Sequence, residues 1–130
     1  LGPWFFSQIA TPQGVKNVLR QCYHDASAVT DELVECILQP GLEPNAVNVF
    51  LDFISYSTGP LPEEQLAACP VPTSILWGVH DPWEKVEWGR ALAAYPCVEE
   101  FVEVEAGHCP MDEAPGMVNP LIAAWMSRYD

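Results

Sequence analysis

Positive charge is scarce in this chain. Lysine and arginine number 5 together, against 18 aspartates and glutamates, for a formal net charge of −13. A surface this acidic is repelled by phosphate backbones, so nucleic acid is not an expected partner. It equally disfavours electrostatic docking on anionic lipid. The plain reading is an acidic face that keeps the protein in solution. Long apolar runs are also missing, and nothing approaches the roughly 20 consecutive residues of a membrane-spanning helix, so no transmembrane segment is expected. The opening Leu1-Gly2-Pro3-Trp4-Phe5-Phe6 has neither a basic leader nor a small-residue cleavage site, so no secretory signal is expected there. A first residue other than methionine is what a cut or processed chain would show. The cysteines, Cys22, Cys36, Cys69, Cys97 and Cys109, form no Cys-x-x-Cys pair and match no zinc spacing. Reduced thiols are expected, in a cytosol-like compartment such as a stroma, with no metal and no cofactor.

What is present suffices for one domain: 130 residues, 49% of them hydrophobic. There is no internal repeat. Two stretches differ in character and join between Pro60 and Pro72, which divides the chain into a helical cap or lid region over 1–70 and an α/β core portion over 71–130. In the first stretch, Thr11-Pro12 reads as an N-cap followed by a first-turn proline. Val15, Val18, Leu19 and Cys22 follow it at helical spacing. Thr30-Asp31-Glu32 opens a second helix carrying Leu33, Val34, Ile37 and Leu38, closed by Pro40-Gly41. A third starts at Pro44-Asn45, carries Val47, Val49, Phe50, Phe53 and Ile54, and is expected to end near Gly59. Pro62–Leu66 forms a fourth short helical turn. Trp4, Phe5, Phe6, Phe50, Phe53 and Tyr56 either line an apolar pocket or pack a core.

The second stretch alternates strand and helix. Ser74-Ile75-Leu76-Trp77 ends in Gly78 and suits a buried strand. A helix is expected over Trp83–Tyr95, with Val86, Arg90 and Ala94 as one face. Phe101–Val104 is a second strand, and Ala114–Arg128 a last helix with a stripe of Met117, Val118, Leu121, Ile122 and Trp125. This order is the pattern of parallel α/β architecture. Parallel sheets need both faces covered and several neighbouring strands, so the two strands read as the edge of a larger sheet.

Reactive groups in such folds sit in loops beyond the carboxyl ends of strands. Asp81, in Gly78-Val79-His80-Asp81-Pro82-Trp83, follows the first strand, and His108, in Ala106-Gly107-His108-Cys109-Pro110, follows the second. One helix and one strand separate them, which brings both loops to one edge. An aspartate that accepts a hydrogen bond from a histidine ring fixes the tautomer and stabilises the imidazolium formed during proton transfer. Asp81 alone also suits an Asp-Pro turn, and His108 alone a loop histidine bound to a carbonyl. Together and in this order they read as acid and base. Cys109 beside His108 reads as a packing residue, His80 as an exposed loop residue, and His24-Asp25 as a helix-terminal pair.

The segment Ile75-Leu76-Trp77-Gly78-x-x-Asp81-Pro82-Trp83, followed by Ala106-Gly107-His108-Cys109-Pro110-x-Asp112-Glu113-x-Pro115-x-x-Val118-Asn119, resembles the C-terminal part of the plant and algal plastid α/β-hydrolases of the pheophytinase-like type. From about Val71 onward the likeness is strong. Residues 1–70 resemble the helical cap of that group more loosely, through Cys22-Tyr23-His24-Asp25 and Thr30-Asp31-Glu32-Leu33-Val34. The resemblance implies a partial α/β-hydrolase fold, a helical cap with the last two parallel strands and last helices. It makes Asp81 the triad acid and His108 the triad base. Asp112, Glu113 and Pro115 would open the final helix, where carboxylates favour the positive end of the dipole.

The family's nucleophile stands on a strained turn in a Gly-x-Ser-x-Gly setting. Ser7, Ser27, Ser55, Ser57, Ser74 and Ser127 all lie outside such a setting. The elbow and the oxyanion loop are expected upstream of Leu1, so the chain by itself is expected to be nearly inert. By the resemblance it is a piece of a carboxylic ester hydrolase with a small-molecule, apolar ester substrate and a chloroplast location. Two alternatives stay open: a parent with an aspartate nucleophile, like a dehalogenase or epoxide hydrolase, and a truncated binding module without catalysis.

Overall fold

A computed structural model of the chain describes residues 2–55 and 59–129. They divide into two compact units, one of residues 1–21 and 29–59, the other of residues 22–28 and 60–130.

The first unit is helical. It holds α1 (Gly2–Ile9), most of α2 (Pro12–Cys22), α3 (Asp31–Gly41) and α4 (Ala46–Ile54). Helix α1 was not among the expected elements, because its apolar residues run together without a clear period. The Thr11 hydroxyl accepts the Gly14 N–H at 3.0 Å and starts α2. Thr30 does the same for α3, accepting from the Leu33 N–H at 3.1 Å, while Asp31 and Glu32 sit in the first turn where the helix dipole favours negative charge. Lys16 pairs with Asp31 at 2.6 Å across the two helices. Asn45, at φ 72°, supplies the left-handed residue that turns the chain into α4, a conformation asparagine tolerates. That helix stops at Ile54, where Ser55 donates its N–H to the Leu51 carbonyl. The expected end near Gly59 is therefore too late. Serine competes for backbone hydrogen bonds and favours helix ends over interiors.

Leu19 and Cys22 of α2 and Val34 and Leu38 of α3 are buried. Phe6 and Phe50 meet with ring centroids 5.2 Å apart and border an apolar cleft of about 220 Å³ with Ile9, Val18, Ile37 and Leu38. Trp4, Phe5 and Phe53 are exposed. Of the aromatic residues expected to line a pocket or pack a core, Tyr56 lies outside the described residues.

The second unit carries the sheet. Helix α5 (Pro62–Ala68) leads into β1 (Thr73–Gly78); α6 (Val86–Leu92) follows, then β2 (Val98–Val104), α7 (Pro110–Glu113) and α8 (Pro115–Met126). The strands pair in parallel, in register from Ser74 opposite Glu100 to Gly78 opposite Val104. Their core is Val104, Ala106 and Val118, with Leu76, Ala114 and Leu121 packed against it. Burying apolar surface of this kind is what orders the strand ends.

Helix α6 is shorter than the Trp83–Tyr95 expected. The Asp81 carboxylate takes the N–H groups of Trp83 and Glu84, so the chain there forms a side-chain-capped turn and helix begins only at Val86. The face of α6 also differs from Val86, Arg90 and Ala94. Arg90 and Ala94 are exposed and Gly89 is buried. A β-carbon on Gly89 would lie 2.5 Å from the Trp77 ring, so the helix approaches the sheet at the position apolar periodicity scores lowest. On α8, Val118 is buried and Leu121 and Trp125 are half-buried, whereas Met117 and Ile122 are exposed. The buried stripe is narrower than the sequence pattern suggested.

Candidate active site

Both strands end at the same edge of the sheet, where Gly78 closes β1 and Gly107 stands in the loop after β2. A β-carbon on Gly78 would fall 1.9 Å from the Gly107 carbonyl oxygen and 2.6 Å from that of Ala106. The loops after β1 and β2 therefore touch backbone to backbone, which only glycine permits. Hydrogen bonds continue the contact beyond the strands: the Val79 N–H donates to the Val104 carbonyl at 2.9 Å, and the His80 N–H to that of Ala106 at 3.0 Å.

On this platform the structure brings Asp81 and His108 together. The His108 Nδ1 lies 2.8 Å from Asp81 Oδ2. An ionised carboxylate only accepts, so Nδ1 carries the proton and Nε2 is the basic nitrogen. The second Asp81 oxygen, Oδ1, accepts from the Trp83 N–H at 2.8 Å and the Glu84 N–H at 2.9 Å. Asp81 is thus held on both oxygens, with its side chain only 7% exposed, while the His108 side chain is 36% exposed. Burial by itself pushes the Asp81 carboxyl up, but the Glu84 N–H, the His108 ring and the Trp83 N–H together hold it below the usual carboxylate value. The Trp83 ring lies 4.8 Å from the His108 ring. Leu76, Trp77, Glu84, Pro110 and Met111 complete an open cleft of about 190 Å³ in front of the pair.

The cysteines beside the pair do not suit attack. Burial, reinforced by the nearby Asp112, Asp81 and Glu113, pushes the Cys109 thiol up, and burial takes the Cys22 thiol to about 11. A thiol needs a depressed pKa to act as a nucleophile at neutral pH. Cys36, Cys69, Cys97 and Cys109 are free thiols.

Of the histidines outside the pair, His80 is an exposed loop residue as its sequence reading has it, whereas His24 and Asp25 do not pair with each other. His24 and His80 stack face to face, with centroids 3.8 Å apart, and the His80 Nε2 lies 2.9 Å from Glu105 Oε2. Asp25 turns to Ser27 rather than to His24, accepting its N–H at 2.8 Å and its hydroxyl at 2.6 Å. Asp112 and Glu113 do not open the last helix. They belong to the separate short helix α7, and the Glu113 carboxylate is occupied by the backbone N–H groups of Gly107 and Asp25. Proline at 115 restarts the chain as α8 after this break.

Comparison with solved structures identifies the fold. A meta-cleavage product hydrolase from Pseudomonas fluorescens IP01 (CumD) superposes with a TM-score of 0.73, covering 92% of this chain and 47% of that one at 19% sequence identity. A second crystal structure of a meta-cleavage product hydrolase (CumD), a mutant, gives a TM-score of 0.69 at 20% identity. The chain has the fold of the α/β-hydrolases. Among curated proteins, it is 28% identical over 130 residues to chloroplastic pheophytinase of Arabidopsis thaliana. It is 27% identical over 112 residues to the uncharacterised hydrolase YugF of Bacillus subtilis (strain 168). No family model matches the chain. It spans 27% of the length of pheophytinase and 41% of that of YugF. The resemblance read from Ile75–Asn119 is to the right group of proteins. No described helix is long and apolar enough to cross a membrane.

Proposed function

We propose that Asp81 and His108 are the acid and base of an α/β-hydrolase that cleaves carboxylic esters with a serine nucleophile. The observation that carries the reading is the 2.8 Å contact between His108 Nδ1 and Asp81 Oδ2 on adjoining loops beyond two parallel strands. With Nδ1–H committed to Asp81, Nε2 takes the proton of an attacking hydroxyl and then returns it to the leaving alcohol. Asp81 stabilises the imidazolium between those steps, and its two backbone donors keep it ionised and aimed. The likeness to YugF, named a hydrolase, and to pheophytinase supports the class of reaction.

The 130 residues contain no serine in a Gly-x-Ser-x-Gly setting, so in this reading the nucleophile and oxyanion donors come from other polypeptide. The helical residues 1–70 serve as cap or lid, and residues 71–130 as the acid and base end of the core. The substrate is a small molecule, an apolar ester. A prenyl ester of the pheophytin kind, acted on in the chloroplast, is the form of it that the likeness to pheophytinase favours.

The test is a polypeptide in which these 130 residues replace the matched stretch of pheophytinase. It is expected to hydrolyse esters and to lose that turnover with His108→Ala. Turnover retained in that variant overturns the assignment of the base. Release of phytol from pheophytin tests the substrate, and ester turnover without it would discard the prenyl specificity alone. The 130-residue chain itself gives a second measurement: Asp81→Asn should shift the His108 ring signals in an NMR spectrum, and an unchanged ring would sink the pairing.

A further inference from the structure

Glu113 spends both carboxylate oxygens on backbone. Oε2 accepts the Gly107 N–H at 2.6 Å, and Oε1 accepts the Asp25 N–H, also at 2.6 Å, from a segment 88 residues earlier in the chain. Charge-assisted bonds of this length are the strong ones. Gly107 directly precedes His108, so the first bond fixes the peptide plane from which the imidazole projects. The second anchors a strap of residues 22–25 against the same loop.

That strap touches the candidate site at several further points. The His108 N–H donates to the Cys22 carbonyl at 2.8 Å. A β-carbon on Gly107 would lie 2.3 Å from that carbonyl oxygen and 2.7 Å from the His24 nitrogen, so the two backbones are in direct contact. Tyr23, which is buried, donates its hydroxyl to Asp112 Oδ2 at 3.3 Å. The His24 ring lies on the ring of His80, the neighbour of Asp81. One strap therefore braces both the loop that carries the acid and the loop that carries the base.

We propose that Glu113 is a positioning residue for His108, acting through Gly107 and the strap 22–25; this rests on the reading of Asp81 and His108 as acid and base. Glu113 does not bond to the imidazole. Its carboxylate locks the two backbone segments that set where the ring stands, and such second-layer order is what holds catalytic groups in register.

The experiment uses the 130-residue chain, observed by amide hydrogen exchange and by the His108 Nδ1–H proton resonance. In the unaltered chain the Gly107 and Asp25 amides are expected to be protected. If both exchange like open loop amides, the proposal is overturned without any variant. Glu113→Gln keeps the shape but turns one acceptor into a donor facing an N–H group. It is expected to speed exchange at Gly107 or Asp25 by about tenfold, the size of a lost charged hydrogen bond, and to broaden the Nδ1–H resonance. Asp81→Asn is run beside it. If Asp81→Asn alters the His108 ring and Glu113→Gln does not, the acid–base pair stands and the positioning role falls. If Asp81→Asn leaves the ring unchanged, the pair itself fails. Unchanged exchange at both amides in Glu113→Gln also overturns the proposal.

Discussion

Adding one methyl group at Gly78 tests how closely the two site loops depend on each other. In Gly78→Ala the new β-carbon would sit 1.9 Å from the Gly107 carbonyl oxygen and 2.6 Å from the Ala106 oxygen, whereas ordinary contact begins at 3.4 Å. Relief requires a retreat of about 1.5 Å by backbone on one side, since neither opposing atom belongs to a flexible side chain. The strand ends there are also bonded, Val79 N–H to Val104 O at 2.9 Å and His80 N–H to Ala106 O at 3.0 Å, so the retreat strains both bonds. Overpacking in well-packed structure typically costs about 1–3 kcal/mol, and two backbone clashes with strained hydrogen bonds put this change at the upper end, about 3 kcal/mol. A shift of that size also stretches the 2.8 Å contact between His108 and Asp81 beyond hydrogen-bonding distance. Urea unfolding of the 130-residue chain measures the first effect, and the His108 Nδ1–H resonance the second. Gly78→Ala with stability within about 0.5 kcal/mol of the parent and an unchanged resonance would refute the argument.

Other consequences are smaller or more local. Because the Asp81 carboxyl is held below its ordinary value, its contribution to stability is fully present above that value and is lost as pH falls through the lowered one; the His108–Asp81 resonance should persist through pH 4 and vanish on further acidification, and loss already near pH 6 would contradict this. Alkylation at pH 8, followed by mass spectrometry, should modify exposed Cys36 and half-buried Cys69, whose thiol is lowered by hydrogen bonding at Val71 and Thr73, well before Cys22 and Cys109. Fast labelling of Cys109 would revive it as a nucleophile. Thr30→Ala removes the bond to the Leu33 N–H and should cost about 1 kcal/mol, read as a lower urea midpoint with an unchanged slope.

The residues of the candidate site were legible because their order and flanks are local. Each strand is a short apolar run, and Asp81 and His108 each follow one within a few residues, so chain order alone brings them to one edge. What held them was not legible. Gly78 matters through its backbone contact with the loop after β2, and Gly107 through its contact with the backbone of Cys22 and His24, which leave no mark beyond the presence of glycine. Glu113 reads as one more carboxylate near a helix start, and its partner at Asp25 is 88 residues away. The late start of α6 follows from Asp81 drawing in the N–H groups of Trp83 and Glu84, an effect of the site on the helix that apolar periodicity does not register. Helix α1 went unread because Trp4, Phe5, Phe6 and Ile9 cluster without the helical spacing that identified α2 and α3.

The most direct measurement is ester turnover by the polypeptide in which these 130 residues replace the matched stretch of pheophytinase, compared between the unaltered sequence and His108→Ala. A loss of about a thousandfold or more is expected if Nε2 of His108 is the base. Turnover that survives the change at a comparable rate would contradict the account, and Asp81 and His108 would then be a structural pair at the edge of the sheet.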